Sequence, residues 1–265
     1  MADESNARED PAGEQTPSAL QPHAGIYEPQ FVRALFDEMS ASYELTNYVS
    51  SFGFSARWRR QAVADLTLRP GALVVDLMSG MGECWTALQR RMQGAAHIVA
   101  IDLSPEMCRH ASRKRLRVPE LSIEVRQGDA LRSGLPDASA DAVVACFGLK
   151  TFSPAQLDRL SAEVWRTLKP GGAFCFVEVA VPTGALLRTL YLFYLRFVIP
   201  LIGRLFLGNP QNYRLLSVYT ECFARGATAK AAFERQGFRV TTTDLFFGCA
   251  RRLLGHKPAD ARPGA

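Results

Sequence analysis

Residues 74–85 read V-V-D-L-M-S-G-M-G-E-C-W. A run of β-formers leads into an acid, Asp76, and then into two glycines, Gly80 and Gly82, one residue apart. A strand that ends in a glycine loop and opens a helix lets backbone N–H groups approach a nucleotide. The dinucleotide fingerprint G-x-G-x-x-G needs a third glycine where this chain has Trp85. A pyrophosphate would also sit badly beside an acid at the strand end. Asp76 suits a ligand that is cationic at this point, and S-adenosylmethionine (SAM) carries both an ammonium and a sulfonium.

Two further acids extend the pattern. I-V-A-I-D-L (98–103) reads as a second strand, and its Asp102 lies 20 residues beyond Gly82, where an acid can accept both ribose hydroxyls. Leu103 follows it. After a third strand, L-S-I-E-V-R (121–126), the segment Q-G-D-A (127–130) places Asp129, with Ala130 beside it, where an acid can accept an adenine amino group. Three acids at three successive strand ends are far more specific than two glycines.

The surrounding chain alternates strands with helix-length segments. D-A-V-V-A-C-F (141–147) is a fourth strand and A-F-C-F-V-E-V (173–179) a fifth. Ser104-Pro105 supplies an N-cap and an N1 proline. Ser153, Pro154 and Gln156 form a capping-box signature, and Leu157, Leu160, Val164 and Leu168 then mark one apolar helix face. That helix is expected to stop at K-P-G-G (169–172). Such alternation implies right-handed βαβ crossovers and a parallel sheet covered on both faces, a doubly wound, Rossmann-like α/β fold. A last helix is expected over 227–238, then a closing hairpin through Val240 and Phe247.

Residues 184–222 break the rhythm. L-L-R-T-L-Y-L-F-Y-L-R-F-V-I-P-L-I-G-R-L-F-L (186–207) is strongly apolar, with Arg188, Arg196 and Arg204 at intervals of eight and Pro200 between the last two. A spanning helix is disfavoured, since an arginine near a bilayer centre costs roughly 2.5–3.5 kcal/mol and Pro200 should break the helix. Amphipathic helices capping the domain fit better, with the arginines at headgroup level if they meet a membrane. A lid that packs only on its own domain is the competing reading.

Composition is ordinary for a globular chain: 48% hydrophobic and 22% charged over 265 residues. Residues 1–25 hold one arginine against five acids, whereas the rest of the chain carries 30 bases and 21 acids. A basic body suits anionic partners or merely solubility. The first 25 residues are polar, Pro/Gly-rich and aperiodic, and are expected to be a disordered lead without a secretory h-region. Residues 26–258 are expected to form one domain, with 184–222 as its helical cover insertion and 259–265 as a flexible tail. Six scattered cysteines without C-x-x-C spacing imply free thiols in a reducing compartment, with neither a disulfide framework nor a metal site.

V-V-D-L-M-S-G-M-G, I-D-L-S-P-E-M, G-D-A…L-P and L-K-P-G-G resemble the successive motifs of class I SAM-dependent methyltransferases. The segment F-D-E-M-S-A-S-Y-E-L-T-N-Y-V-S-S-F-G-F-S-A-R-W-R (36–59) narrows the resemblance to the ubiquinone/menaquinone C-methyltransferases, the UbiE-like family. Phe36, Asp37, Tyr43, Asn47, Ser51, Gly53, Trp58 and Arg59 match that family's opening pattern in register, and I-P-L-I-G (199–203) and Y-R-L-L (213–216) match its C-terminal third. The resemblance implies SAM as cofactor, Tyr43 over it, and Cys146 and Phe147 lining its pocket. It implies methylation of a ring carbon of a lipophilic, quinol-type acceptor, with Tyr213 and Arg214 as contacts in the cover.

The chain departs from the family where chemistry is decided. The family's F-G-[LI]-R-N is here F-G-L-K-T, so Lys150 replaces a planar arginine fork with a point charge. Lys150 is the candidate for stabilising a phenolate or acting as a base, against a surface lysine before a helix cap. Glu178, ending strand five, either faces the substrate or has a structural partner. Met81 and Glu83 replace the family's threonine and aspartate, and Met81 is expected to make that side of the pocket more apolar. Two rivals remain: an O- or N-methyltransferase of a lipid or aromatic metabolite, and a non-catalytic accessory subunit. Nucleic acid is not expected as a partner, because C-F-G-L stands where a base-reading N/D-P-P-Y/F motif would be. A cytoplasmic location, peripheral on the inner membrane face through 186–207, and a homodimer complete the expectations.

Overall fold

In the computed structural model, β1 (Leu73–Leu77) is an interior strand, third from one edge, of a seven-stranded sheet. The residues described are 24–41, 44, 48–49, 51–92, 96–205 and 210–260. Around β1 stand β2 (Ala96–Asp102), β3 (Leu121–Gln127), β4 (Ala140–Cys146), β5 (Leu168–Val179), β6 (Arg239–Leu245) and β7 (Ala250–His256). Their order across the sheet is β3-β2-β1-β4-β5-β7-β6. The first five strands are parallel, and β7 is antiparallel to both neighbours. The closing hairpin expected from the sequence is β6–β7, with Phe247 in its turn.

Period-two alternation sorts the strand residues onto two covered faces. Val74, Ile98, Ala100, Val144 and Val177 share one core. Val75, Val99, Ile101, Val143, Phe174 and Phe176 share the other. The helices follow the sequence signals. Between β2 and β3, Ser104 caps the helix Pro105–Lys114 by accepting from the Met107 N–H. Between β4 and β5, Ser153 and Gln156 close the capping box of the helix Pro154–Thr167. The K-P-G-G segment lies within β5 as the structure assigns it, where the register with β4 shifts.

The strand order reverses between β1 and β4, and in open α/β sheets ligands bind beyond the strand C-termini at such a switch. The helices Pro29–Met39, Phe54–Val63 and those of the insertion cover this end. The insertion contains Ala185–Phe193, a π-helical stretch Tyr194–Val198, Ile199–Leu205 and Pro210–Phe223. Pro200 therefore does not break the helix as expected. A proline ring clashes with the carbonyl four residues back, and the wider π turn just before it can displace that carbonyl.

Candidate functional site

Two cavities meet at this end of the sheet. The first is built from the strand-end loops and the helix Pro29–Met39. Asp76, Gly80, Asp102, Leu103, Asp129, Ala130, Cys146 and Phe147 all line it. The expected acids thus converge on one space. Tyr43 and Asn47 lie outside the described residues.

Asp102 organises the glycine loop as well as the cavity. Its Oδ2 accepts from the Gly80 N–H at 2.8 Å and its Oδ1 from the Ser104 N–H at 2.9 Å. Burial nevertheless raises its carboxyl to about 6, with Glu83 and Asp37 adding repulsion. Each carboxylate oxygen still has a lone pair for a hydroxyl donor. Asp129 accepts from the Leu131 N–H at 2.9 Å, which sets its carboxylate at the cavity wall.

Asp76 is 1% exposed, and burial pushes its carboxyl up to about 8. Trp85 Nε1 donates to its Oδ2 at 3.0 Å, the contact that most favours the ionised form. The residue that spoils the dinucleotide fingerprint is therefore the partner of the acid. Gly82 is explained by the same contact. A Cβ there would lie 2.6 Å from the Trp85 ring, and φ is +79°. Gly82 also makes room for Trp85 beside the cavity.

Met81 is buried and does not line the cavity, whereas Met78 and Met107 do. Met78 fits because Gly148 faces it; a Cβ on Gly148 would come within 2.6 Å of the Met78 sulfur. Cys84 and Cys146 share the wall, their sulfurs 3.8 Å apart.

Arg59, Ser79 and Glu83 line the cavity without having been singled out as site residues. Arg59 is 8% exposed, lies over the Phe147 ring at 5.0 Å from its centroid, and approaches Glu83 Oε1 at 3.6 Å. Its only sequence signal was the W-R pair of the opening pattern. Asp37 from that pattern accepts from Ser104 Oγ at 2.5 Å, tying the cover to the end of β2.

The residues fit SAM. Ser79 Oγ is buried without a hydrogen-bond partner among the described residues, and the buried Asp76 carboxyl is short of a counter-charge there. Asp76 and Arg59 line the cavity where an amino-acid zwitterion would meet opposite charges, Asp102 would accept from a ribose, and Asp129 would accept from an amino group. When bound, SAM supplies an electrophilic methyl group.

The second cavity, about 410 Å³, is apolar and lies under the insertion. Trp58, Leu187, Tyr191, Leu216 and Tyr213 help line it, as does Lys150. Phe147, held at φ +68°, is the one described residue lining both cavities. Lys150 is not a surface residue: it is 6% exposed, and its Nζ donates to Glu178 Oε1 at 2.9 Å and to the Phe147 carbonyl at 2.5 Å. Glu178 thus has its partner in Lys150. Arg214 separates from Tyr213: it is exposed and faces another groove with Phe31 and Leu35, because adjacent helix residues point about 100° apart. Its expected acceptor contact is corrected accordingly.

A family model described as the ubiE/COQ5 methyltransferase family matches residues 25–257. The chain belongs to this family. A demethylmenaquinone methyltransferase of Deinococcus radiodurans is 34% identical over 228 residues, covering 86% of this chain and 93% of that protein. One from Thermus thermophilus is also 34% identical, over 84% of this chain and 100% of its own length. Among solved structures, a SAM-dependent methyltransferase from Aquifex aeolicus superposes with a TM-score of 0.54 at 16% identity, over 75% of this chain and 89% of that one. Magnesium protoporphyrin IX methyltransferase from Synechocystis gives 0.57 at 18%, over 86% and 99%. These two share the fold. This member of the ubiE/COQ5 family is a SAM-dependent methyltransferase, and the accessory-subunit reading falls away.

Proposed function

We propose that this enzyme methylates a ring carbon of a lipophilic, quinol-type acceptor held in the second cavity. The observation that carries the reading is the wall between the cavities: Phe147 faces both, and the Lys150 ammonium is hydrogen-bonded to the Phe147 carbonyl. An apolar chamber of this size accommodates an aromatic ring and part of its tail. Curated relatives named demethylmenaquinone methyltransferase support the acceptor class.

Carbon methylation of a phenolic ring needs negative charge on the ring oxygen. An ammonium has three donors, and Glu178 and Phe147 occupy two of those on Lys150. The third is left to hold an acceptor oxygen in its ionised form. Burial beside Glu178 keeps that charge in a dry site, where electrostatic stabilisation is strongest. SAM held by the first cavity would supply the methyl group and leave as S-adenosylhomocysteine, the ring carbon's proton would pass to water, and the Lys150 ammonium would hold the ring oxygen throughout.

Free thiols suit work on the cytoplasmic side, at the inner face of the membrane. Labelled SAM and a demethylated quinol in detergent test the function directly. The expected product carries the label on carbon, identified by mass fragmentation. Label on oxygen or nitrogen would transfer the assignment to the rival acceptor classes.

A further inference from the structure

Exposed aromatic and aliphatic side chains from three separate segments extend outward from the second cavity. Phe52 is 77% exposed, Phe247 81% and Phe197 62%. Leu186, Leu190, Phe193, Phe197 and Leu201 recur at spacings of four, three, four and four, which is one stripe on the insertion's helices, and all are exposed. The loops join this stripe. Phe52 packs on Tyr194 with centroids 6.0 Å apart, and Phe246 packs on Phe54 at 4.2 Å. Phe52, Leu190 and Phe246 also line the cavity, so the patch and the mouth are continuous.

Backbone strain marks the same place. Phe52, Phe246 and Phe247 have φ of +49°, +44° and +55°, a region that bulky residues rarely enter. Such strain persists where the surroundings hold a side chain for a purpose, and here it presents three phenyl rings outward. Arg57, Arg188 and Arg204 are exposed beside these segments in sequence, with no ion-pair partner among the described residues.

Ala185–Ile202 is long and apolar enough to cross a membrane, yet it is tied along the domain surface. Leu195 is buried, the Tyr191 hydroxyl donates to the Cys249 carbonyl at 3.1 Å, and Arg196 pairs with Glu221. An anchored helix with one apolar face lies in an interface instead of spanning it.

We propose that Phe52, the Leu186–Leu201 stripe and Phe246–Phe247 form a rim that seats on an anionic phospholipid surface, so that the cavity mouth opens into the acyl region. A second copy of the chain is the poorer occupant, because it would seal the mouth against a lipophilic acceptor. The proposal rests on reading the second cavity as the site of a lipophilic acceptor.

The test is sedimentation of the full chain with phosphatidylcholine vesicles containing phosphatidylglycerol, without SAM or acceptor. The wild type should sediment, and Phe193→Glu combined with Phe247→Glu should weaken partitioning ~10-fold or more, since each loses buried apolar area and adds repulsion. Both positions are exposed and line neither cavity, so the melting temperature should stay at the wild-type value. Phe31→Glu, an exposed phenylalanine outside the rim, should sediment like the wild type. A wild type that stays in the supernatant overturns the proposal, as does a double variant that sediments unchanged. So does a solution dimer that the double variant dissociates while neither protein binds vesicles. Failure to sediment alongside carbon methylation in detergent would sink the docking surface alone; sedimentation without methylation supports the surface and sinks the acceptor reading.

Discussion

Lys150 Nζ stands 2.9 Å from Glu178 Oε1 at the base of the second cavity, with the lysine side chain 5% and the glutamate 0% exposed. The carboxylate is fixed from three sides, accepting from the Lys150 N–H at 3.1 Å and the Val179 N–H at 2.9 Å as well as from the ammonium. A buried pair of this kind is costly to break and neutral to replace, which allows its chemical role to be separated from its structural one.

Lys150→Met alone leaves Glu178 buried and unpaired, and should lower stability by about 3–5 kcal/mol. Adding Glu178→Gln removes the orphaned charge and should restore most of that loss. Turnover should not return: the double variant is expected to be ~100-fold slower than wild type, the scale of losing one oxyanion donor, with SAM affinity intact. Chemical denaturation, single-turnover rates and calorimetry measure the three quantities. Wild-type turnover in the double variant would make the lysine purely structural.

Asp76 predicts how SAM affinity depends on pH. Its carboxyl ordinarily titrates at 3.8 and is raised to about 8 by burial. Below pH 3.8 the folded and unfolded chains both hold this proton, and between there and about 8 only the folded chain does. Stability from this group is therefore full at low pH and lost as pH rises through about 8. An ammonium placed beside Asp76 favours the ionised form, so binding near pH 7 should expel a proton and tighten as pH rises. Titrations in two buffers of different ionisation enthalpy detect that proton. Asp76→Asn should abolish its release.

Asp102 should prove less forgiving than a simple hydroxyl acceptor. It ties the Gly80 and Ser104 N–H groups together, so Asp102→Ala removes the loop's anchor as well as the ribose contact. SAM affinity should fall ~100-fold or more, the loss of two hydrogen bonds to a charged group. Asp102→Asn keeps the shape and one good acceptor, and should fall between. Calorimetry on both variants decides this, and wild-type affinity in Asp102→Ala would overturn the ribose assignment.

What was legible in the chain divides along a physical line. Asp76, Asp102 and Asp129 were readable because a strand end is a local feature, set by period-two burial and the glycine or cap that follows. Ser104 and Ser153 were readable as caps for the same reason. Arg214 misled because a neighbour of Tyr213 in sequence faces elsewhere on a helix. The packing of Trp85 on Gly82 was not readable, because no spacing rule reveals that a side chain three residues on fills that space. The pairing of Lys150 with Glu178 joins residues 28 apart across two strand ends, and only the sheet brings them together. The aromatic rim was half visible: the stripe over 186–201 showed as apolar, but Phe52 and Phe247 join it through tertiary packing.

The contact between Gly82 and Trp85 yields the last prediction. Gly82→Ala places a methyl 2.6 Å from the indole at a φ of +79°, so ring and loop cannot both stay where they are. Overpacking and strain together should lower stability by about 1–3 kcal/mol. Because the displaced indole holds Asp76, cofactor binding should weaken too. Trp85→Phe separates the two effects. It keeps an aromatic ring on Gly82 but removes the N–H that favours the ionised Asp76, so the carboxyl should titrate higher still. SAM affinity should then need a higher pH to reach its wild-type value, with the binding curve shifted along the pH axis. The same two-buffer calorimetry reads this shift, and an unshifted curve would show that the indole N–H has no part in tuning the acid.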